Sequence, residues 1–183
     1  MKKNLSTPLT EKAIKGLRCG DRVLLSGIIY TGRDAAHKRL VEILVNGGQP
    51  PLNFQGQIIY YVGPCPAKPG NVIGSAGPTT SGRMDTYTPA LLKNGLKGMI
   101  GKGTRSKAVI EAMKTYGAIY FGAIGGAGAL LSQCIKKAEV VAFDDLGPEA
   151  VFKLEVENLP LTVVVDCLGN DLYKIGREEY SQI

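Results

Sequence analysis

The sequence predicts an α/β fold with a mixed sheet and flanking helices, and three observations support that prediction. Apolar runs rich in β-branched residues alternate with stretches of helical spacing along most of the chain. Alternation of this kind is typical of layered α/β domains. Residues 150–173 break the alternation with two successive strand patterns, which predicts a mixed sheet. The length of 183 residues favours a single domain over residues 1–183.

The first predicted elements are a short helix, a strand and a longer helix. Thr10 is a suitable N-cap for the first helix, and residues 21–32 form a β-branched run that ends in glycine. Residues 33–48 follow with apolar side chains at helical spacing, and two adjacent glycines end the pattern. Arg33 and Asp34 are therefore expected to begin the second helix.

The rest of the chain alternates shorter strand and helix patterns. Two strand candidates each end in a Gly-Pro pair, and later apolar runs are separated by helical patterns. Near the C-terminus, two strands are expected to be joined at residues 158–160 and followed by a turn at residues 169–171. The predicted strands cover residues 57–64, 71–78, 97–101, 118–125 and 139–143, and the predicted helices cover residues 104–117 and 126–138.

Composition argues against several classes of protein. Hydrophobic residues make up 44% and charged residues 21%, which is typical of a folded chain and not of a disordered one. No run reaches the roughly 18 apolar residues of a spanning helix, and the first residues lack the apolar run of a signal peptide. The sequence therefore predicts a cytoplasmic protein outside the membrane. The net charge of +6 is spread along the chain, which argues against nucleic-acid binding.

The cysteines do not form a recognisable metal motif. The four are far apart and include no C-x2-C pair, so neither a zinc site nor an iron-sulfur site can be identified locally. We expect free thiols in a reducing compartment and no metal site on this chain. The four are Cys19, Cys65, Cys134 and Cys167.

Residues 77–85 form the most informative segment, because three hydroxyls lie between glycines and an arginine follows them at a predicted strand-to-helix turn. Free N–H groups at a helix N-terminus favour anions, and the Arg83 guanidinium can hold a carboxylate in a bidentate way. The glycine spacing resembles a nucleotide-binding P-loop, but Arg83 replaces the lysine and Met84 the magnesium-binding hydroxyl, which argues against that site. A helix cap with an incidental arginine is the alternative.

Two further cationic segments follow predicted strands. Arg33 and His37, the only histidine, lie one helical turn apart, so His37 is either a paired surface group or part of an anion site. Lys102 lies between glycines where a strand gives way to a helix. Because ligands gather at strand ends in open α/β sheets, Arg33, Arg83 and Lys102 are candidates for one shared site.

Together with residues 120–131 and 141–171, these segments resemble the C-terminal domain or β subunit of class I fumarases. The resemblance covers almost the whole chain. The β subunits of L-tartrate dehydratases are related, but typically have cysteines flanking the RD-x-x-H motif and a non-glycine residue before the motif arginine. Gly32, Ala36 and Gly82 therefore fit a fumarase. An L-tartrate or other hydroxy-diacid dehydratase, or a non-catalytic carboxylate-binding module, is the alternative.

The resemblance implies a fold, an activity and a partner. The fold is a swivelling β/β/α domain, and the activity is the interconversion of (S)-malate and fumarate plus water. A separate α subunit, in an α2β2 assembly, carries a four-iron, four-sulfur cluster that binds the substrate. This chain is expected to bind no cofactor by itself.

The resemblance also implies roles for individual residues. Arg33, Arg83 and Lys102 bind the substrate carboxylates, with His37 and Thr80 as further substrate-binding residues. Thr79 occupies the position of the family's proposed catalytic base, or only donates a hydrogen bond to a carboxylate. Malate and fumarate are dianions, and charge-assisted hydrogen bonds contribute about 1.5–3 kcal/mol each, so several cations are needed to offset desolvation.

Overall fold

The computed structural model describes residues 2–181, which are arranged around a seven-stranded sheet with helices packed against it. The strands are β1 (Lys2–Ser6), β2 (Arg22–Thr31), β3 (Ile58–Tyr60), β4 (Gly98–Gly101), β5 (Ile119–Gly122), β6 (Ile135–Ala142) and β7 (Val151–Val165). The helices are α1 (Glu11–Lys15), α2 (Asp34–Val45), α3 (Thr88–Lys93), α4 (Lys107–Tyr116), α5 (Gly128–Gln133) and α6 (Leu172–Tyr180), with 3-10 turns at Ser81–Met84 and Asp144–Glu149. Helix α2 has twelve residues, and nowhere in residues 2–181 is a helix long and apolar enough to cross a bilayer.

The sheet is mixed and partly closed. Strands β1 to β5 lie in chain order and run parallel, whereas β7 runs antiparallel to β2, β5 and β6. Because β7 pairs with both β2 and β5, strands β2, β3, β4, β5 and β7 close on one another, and β1 and β6 extend the sheet at its edges. The predicted α/β fold with a mixed sheet and flanking helices is confirmed.

Strand β7 corrects the prediction of two strands joined at residues 158–160. It is one strand of 15 residues, and β2 pairs with it on both sides of Asn158. Leu25 faces Leu159 and Gly27 faces Val156, so β7 has one more residue than β2 in this interval. A β-bulge absorbs the extra residue, and Asn158 takes a left-handed φ of 52° without reversing the chain.

Two other predicted elements differ from the structure. As the structure describes them, residues 71–78 form no strand, because their main-chain bonds go to loop residues, as in the bond from Ala76 N to Gly128 O. The helix predicted over residues 126–138 ends at Gln133, since Ile135 already pairs with β7. Strand β1 and helices α3 and α6 were not predicted at all.

The sheet separates two apolar clusters. In β3, Ile58 and Tyr60 point into the closed side of the sheet, while Ile59 and the following Tyr61 pack against the helical layer. This alternation is expected because successive side chains of a strand point to opposite faces. Both faces of the parallel strands are therefore buried, which leaves the strand ends as the place where polar side chains can meet a ligand.

Candidate functional site

The cationic segments lie at one edge of the sheet. Arg33 follows β2 and Lys102 follows β4, and these strands flank β3 in parallel, so their carboxyl ends share an edge. The ladder continues beyond β3, because Tyr61 N donates to Ile100 O at 2.8 Å. The structure therefore brings Arg33 and Lys102 to the same side of the fold.

Residues 79–81 lie between the ends of β3 and β4. Thr79 N donates to Tyr61 O at 2.7 Å, and Thr79 O accepts a bond from Lys102 N at 3.3 Å. Ser81 N in turn donates to Lys102 O at 2.8 Å, and Thr80 faces Lys102 in a parallel bridge. Thr79 is half-buried and Thr80 is exposed. Main-chain bonds thus hold both threonines beside Lys102.

The helix predicted to follow this segment is replaced by a 3-10 turn over Ser81–Met84. Thr80 precedes the turn without a side-chain cap bond, and Asp85 ends it. The Asp85 carboxylate accepts bonds from Arg105 Nε at 2.7 Å and Ser106 N at 2.6 Å, which directs the chain toward α4. A turn of four residues has too few aligned peptides for a substantial helix dipole, so anion binding here would depend on side chains.

Arg83 is paired with Asp34 at the start of α2. Arg83 Nε donates to Asp34 Oδ1 at 2.9 Å, and Arg83 Nη2 lies 2.8 Å from Asp34 Oδ2. The Arg83 side chain is 51% exposed and the Asp34 side chain 32%. This pair connects the segment that contains Thr79 to the helix that follows Arg33.

Arg33 is more enclosed than Arg83. Its side chain is 24% exposed, and Nη2 lies 3.3 Å from Glu149 Oε1. Its Nε is buried and makes no hydrogen bond within residues 2–181. A Cβ on Gly63 would approach Arg33 Nη1 to 2.9 Å, so the guanidinium in its present position packs closely on this glycine.

His37 lies behind Arg33 and is completely buried. Its Nδ1 lies 2.8 Å from Arg33 O and must be the donor, because a carbonyl oxygen only accepts. Nε2 is then an acceptor, and it has no partner in the described part of the chain. Desolvation, followed by the nearby Arg105 charge, lowers the pKa of His37 to about 4, although the bond to Arg33 opposes this. The interpretation as a surface group is wrong, and substrate binding by His37 stays a prediction.

Lys102 is exposed, like Arg83. Its side chain extends past Gly125, where an added Cβ would lie 3.6 Å from Lys102 Cδ. Between residues 2 and 181, no carboxylate forms an ion pair with its ammonium group. That charge is available to an anionic ligand.

A buried arginine, Arg105, connects the segments that carry the site. The Arg105 side chain is fully buried; its Nη2 donates to Thr88 Oγ1 at 2.8 Å, and its guanidinium lies 5.3 Å from the ring of Tyr61. With its bond to Asp85, it joins the 3-10 turn to the end of β4. Sequence analysis missed Arg105, because a Thr-Arg-Ser sequence carries no signal of burial.

Tyr120 joins the segment before Arg83 to the loop of Lys102. Its hydroxyl donates to Gly103 O at 2.8 Å and lies 2.8 Å from Ser81 Oγ, which then donates to it. Ser81 packs so closely on β4 that a Cβ on Gly101 would overlap its Oγ. The only sequence signal for this link is the presence of a tyrosine on an apolar strand.

The side chains of residues 2–181 include no group of ligands that fits an iron-sulfur cluster. No three His, Cys, Asp or Glu side chains of residues 2–181 are grouped as a metal site. The four cysteines are free thiols, and Cys65 is exposed on a loop. We therefore derive no step through a metal held by this chain.

The chain matches known proteins over most of its length. A family model described as Fumarase C-terminus matches residues 1–176. Fumarate hydratase 2 of Leishmania major is 44% identical over 156 residues, which are 84% of this chain and 28% of that protein. The aerobic class I fumarate hydratase of Escherichia coli strain K12 is also 44% identical, over 155 residues with the same shares. The chain thus spans less than a third of these relatives.

One relative is similar in length to this chain. The putative L(+)-tartrate dehydratase subunit beta of Methanocaldococcus jannaschii is 39% identical over 182 residues, which cover 96% of this chain and 93% of that protein. The match therefore includes all the segments described above.

Burial of His37 predicts a loss of stability on mild acidification. Because its folded pKa of about 4 is below the unfolded value of 6.5, the unfolded state binds the proton first as pH falls. Full stability is present above pH 6.5 and is lost as pH falls toward 4. Between pH 7.5 and pH 5 the contribution of His37 should fall by about 2 kcal/mol. Urea unfolding at both pH values measures the free energy of unfolding. His37→Asn should remove most of its pH dependence. An unchanged pH dependence would show that His37 is not its source.

Tyr120→Phe should destabilise the chain by about 1–3 kcal/mol, because Ser81 Oγ and Gly103 O lose a buried partner. Tyr180→Phe is the matched control, since Tyr180 is 78% exposed. We expect the control to change the free energy of unfolding by less than about 0.5 kcal/mol. Urea unfolding at pH 7.5 compares the two variants, and equal stabilities would show that the bridge contributes nothing.

Proposed function

Because the chain belongs to the fumarase C-terminus family, we propose that it is the β subunit of a two-subunit iron-sulfur fumarate hydratase. The assembled enzyme interconverts (S)-malate and fumarate plus water. This chain binds the substrate carboxylates and supplies a hydroxyl to a site that a second polypeptide completes.

The observation that carries the proposal is the position of Thr79. Its main chain is bonded to that of Lys102, and Arg83 follows it on the same segment. A threonine that acts as a base must first lose its hydroxyl proton, and nearby positive charge favours that loss. In the proposal, Lys102 and Arg83 supply this charge. The Thr79 side chain is half-buried, so it remains accessible to a small ligand.

The charges of the site suit a small diacid. Arg33, Arg83 and Lys102 are cationic, and only Asp34 and Glu149 pair with them in the part of the chain that the structure describes. The site therefore keeps an excess of about one positive charge, which attracts an anionic ligand. The guanidinium of Arg83 also stabilises the enolate-like charge that forms when a proton leaves the carbon next to a carboxylate.

We assign the base role to Thr79 as a hypothesis. Dehydration removes a weakly acidic C–H proton while the hydroxyl group leaves the neighbouring carbon. In the proposed step, Thr79 reacts as its alkoxide, whose own proton has passed to solvent beforehand. Its Oγ1 then accepts the C–H proton and becomes a neutral hydroxyl, while Arg33 and Lys102 orient the two carboxylates. The alternative role for Thr79 is a hydrogen bond to a substrate carboxylate.

The four-iron, four-sulfur cluster belongs to the α subunit in this proposal. Such a cluster supplies a Lewis acid for the departing hydroxide. One finding supports a second polypeptide: a relative that matches along 93% of its own length is named a subunit beta. The α2β2 stoichiometry and the cytoplasmic location stay predictions.

A second candidate function is the dehydration of L-tartrate or another hydroxy-diacid. The observation that favours it is the relative from Methanocaldococcus jannaschii, whose name refers to tartrate and which matches along almost its whole length. Gly32, Ala36 and Gly82 favour the fumarase assignment. A non-catalytic carboxylate-binding module is a third candidate, and it requires no partner.

The assembled protein should interconvert malate and fumarate with a kcat/KM at least about tenfold above that for tartrate. The measurement requires the chain to be co-purified with an iron-containing partner of roughly 30 kDa, a size typical of one or two domains. Faster dehydration of tartrate would support the second candidate. Calorimetry on the isolated chain tests the third, because tight binding of malate without a partner would identify a binding module.

Thr79→Ala should lower kcat of the assembled enzyme by at least about a hundredfold and change KM by less than about threefold, because a base acts in the transition state. Steady-state kinetics on malate measures both constants. Thr86→Ala is the control, since Thr86 is an exposed hydroxyl residue of the following loop. A selective rise in KM for Thr79→Ala would indicate a binding role instead.

A further inference from the structure

We propose that Asp34 is a positioning residue that holds one edge of the Arg83 guanidinium and presents the other edge to a substrate carboxylate. The inference rests on the proposed function, because it requires a diacid that Arg83 binds. It assigns a role in substrate orientation to a side chain that sequence analysis left without one.

The geometry of the pair supports this division of Arg83 into two edges. A guanidinium has five N–H donors in a fixed plane. Nε donates to Asp34 Oδ1 at 2.9 Å, and Nη2 lies 2.8 Å from Oδ2 in an ion pair, although Oδ2 has no hydrogen bond within residues 2–181. The Nε–Nη2 edge therefore lies against Asp34. Within residues 2–181, Nη1 makes no hydrogen bond, and the side chain is 51% exposed. The Nη1–Nη2 edge is therefore free, and it has the spacing that a second carboxylate accepts in a bidentate way.

Asp34 is the fixed member of the pair. It is the first residue of α2, where the helix dipole stabilises a carboxylate, and its side chain is about two-thirds buried. The start of the helix is itself anchored, because His37 bonds to Arg33 O through both its main-chain N, at 2.9 Å, and its ring Nδ1, at 2.8 Å. Leu40 fixes the same helix in the core.

Arg83 is the member that needs fixing. It lies on a four-residue 3-10 turn, and its long side chain would otherwise sample many rotamers. Arg33 provides a contrast, because packing against Gly63 and burial of three-quarters of its side chain already restrict it. A mobile guanidinium would bind a carboxylate in several orientations, whereas a guanidinium held in one position (a fixed fork of N–H donors) selects one orientation.

The positioning role and a purely electrostatic role have opposite consequences for substrate affinity. The negative charge of Asp34 repels a dianion, so its removal should by itself lower KM without lowering kcat. If Asp34 orients the fork, its removal should lower kcat, because the carboxylates are then held away from the reactive geometry. The change in kcat relative to KM therefore distinguishes the two roles.

The test compares substitutions at Asp34 in the chain assembled with its partner. Asp34→Asn should lower kcat at least about tenfold and leave KM unchanged or lower, and Asp34→Glu should recover part of the loss. Asp145→Asn is the matched control, because it removes the same charge from an arginine–aspartate pair whose arginine, Arg39, lies on α2. In that pair, Arg39 Nη1 lies 2.7 Å and Nη2 2.6 Å from the two Asp145 oxygens. The control should stay within about twofold of wild type.

A double-mutant cycle tests whether Asp34 acts through Arg83. Arg83→Lys alone should lower kcat/KM at least about tenfold, since the charge is kept and the fork is lost. In the Arg83→Lys background, Asp34→Asn should add less than about a threefold loss, because no fork remains to be oriented. If the double variant loses kcat/KM by the product of the two single-variant factors, the two residues act independently and the inference is overturned.

An NMR measurement is independent of turnover. In the isolated chain, the NMR signal of the Arg83 Nε–H group is assigned by its absence in Arg83→Lys. It should shift in Asp34→Asn, in which the acceptor carboxylate is lost, and stay in place in Asp145→Asn. An unshifted signal in Asp34→Asn would contradict the pairing. If Asp34→Asn does not fold, the same signal in Asp34→Glu decides, because a displaced carboxylate also changes its environment.

Failure of the inference is distinguishable from failure of the proposed function. An assembled wild type that converts neither malate, fumarate nor tartrate contradicts the proposed function, and the inference with it. An active wild type in which Asp34→Asn behaves like Asp145→Asn contradicts the inference alone.

Discussion

The main-chain bonds that hold Thr79 between Tyr61 and Lys102 are the constraint on which the candidate site depends. They extend the parallel ladder beyond β3 and β4, so the position of the threonine is set by the sheet itself. Because the bonds involve only backbone atoms, the side chains of Thr79 and Lys102 are free for a ligand. The site can therefore combine a rigid frame with unsatisfied polar groups.

The buried polar groups next to these main-chain bonds are hydrogen-bonded within residues 2–181, whereas the exposed Lys102 ammonium has no carboxylate partner there. Arg105 and Tyr120 use their donors on Asp85, Thr88 and Gly103, which joins the segments that contain the site. A buried polar network of this kind restricts the frame only if its members are paired. The Lys102 ammonium, by contrast, has no carboxylate partner within the described residues. Because the buried polar groups are paired and the unpaired cation is exposed, the site can hold several cations close together without destabilising the core.

The sequence predicted the elements with strong local patterns and missed features decided by tertiary contacts. Helix α2 was predictable because its apolar spacing and terminal glycines agree. The single strand β7 was not, since Asn158 and Pro160 have turn propensity and only pairing with β2 keeps the chain extended. The segments of Arg33, Arg83 and Lys102 were recognised from their glycines and cations. The burial of His37 and Arg105 could not be recognised, because isolated polar residues show no periodicity.

The Asp34–Arg83 pair joins two segments that are 49 positions apart in the chain. With it, the cations are tied either to the sheet or to α2 before any partner arrives. A partner that docks on this face would meet an arrangement whose ordering entropy has already been lost during folding. Association would then need to order little within this chain, so more of the contact energy would remain to hold the two polypeptides together.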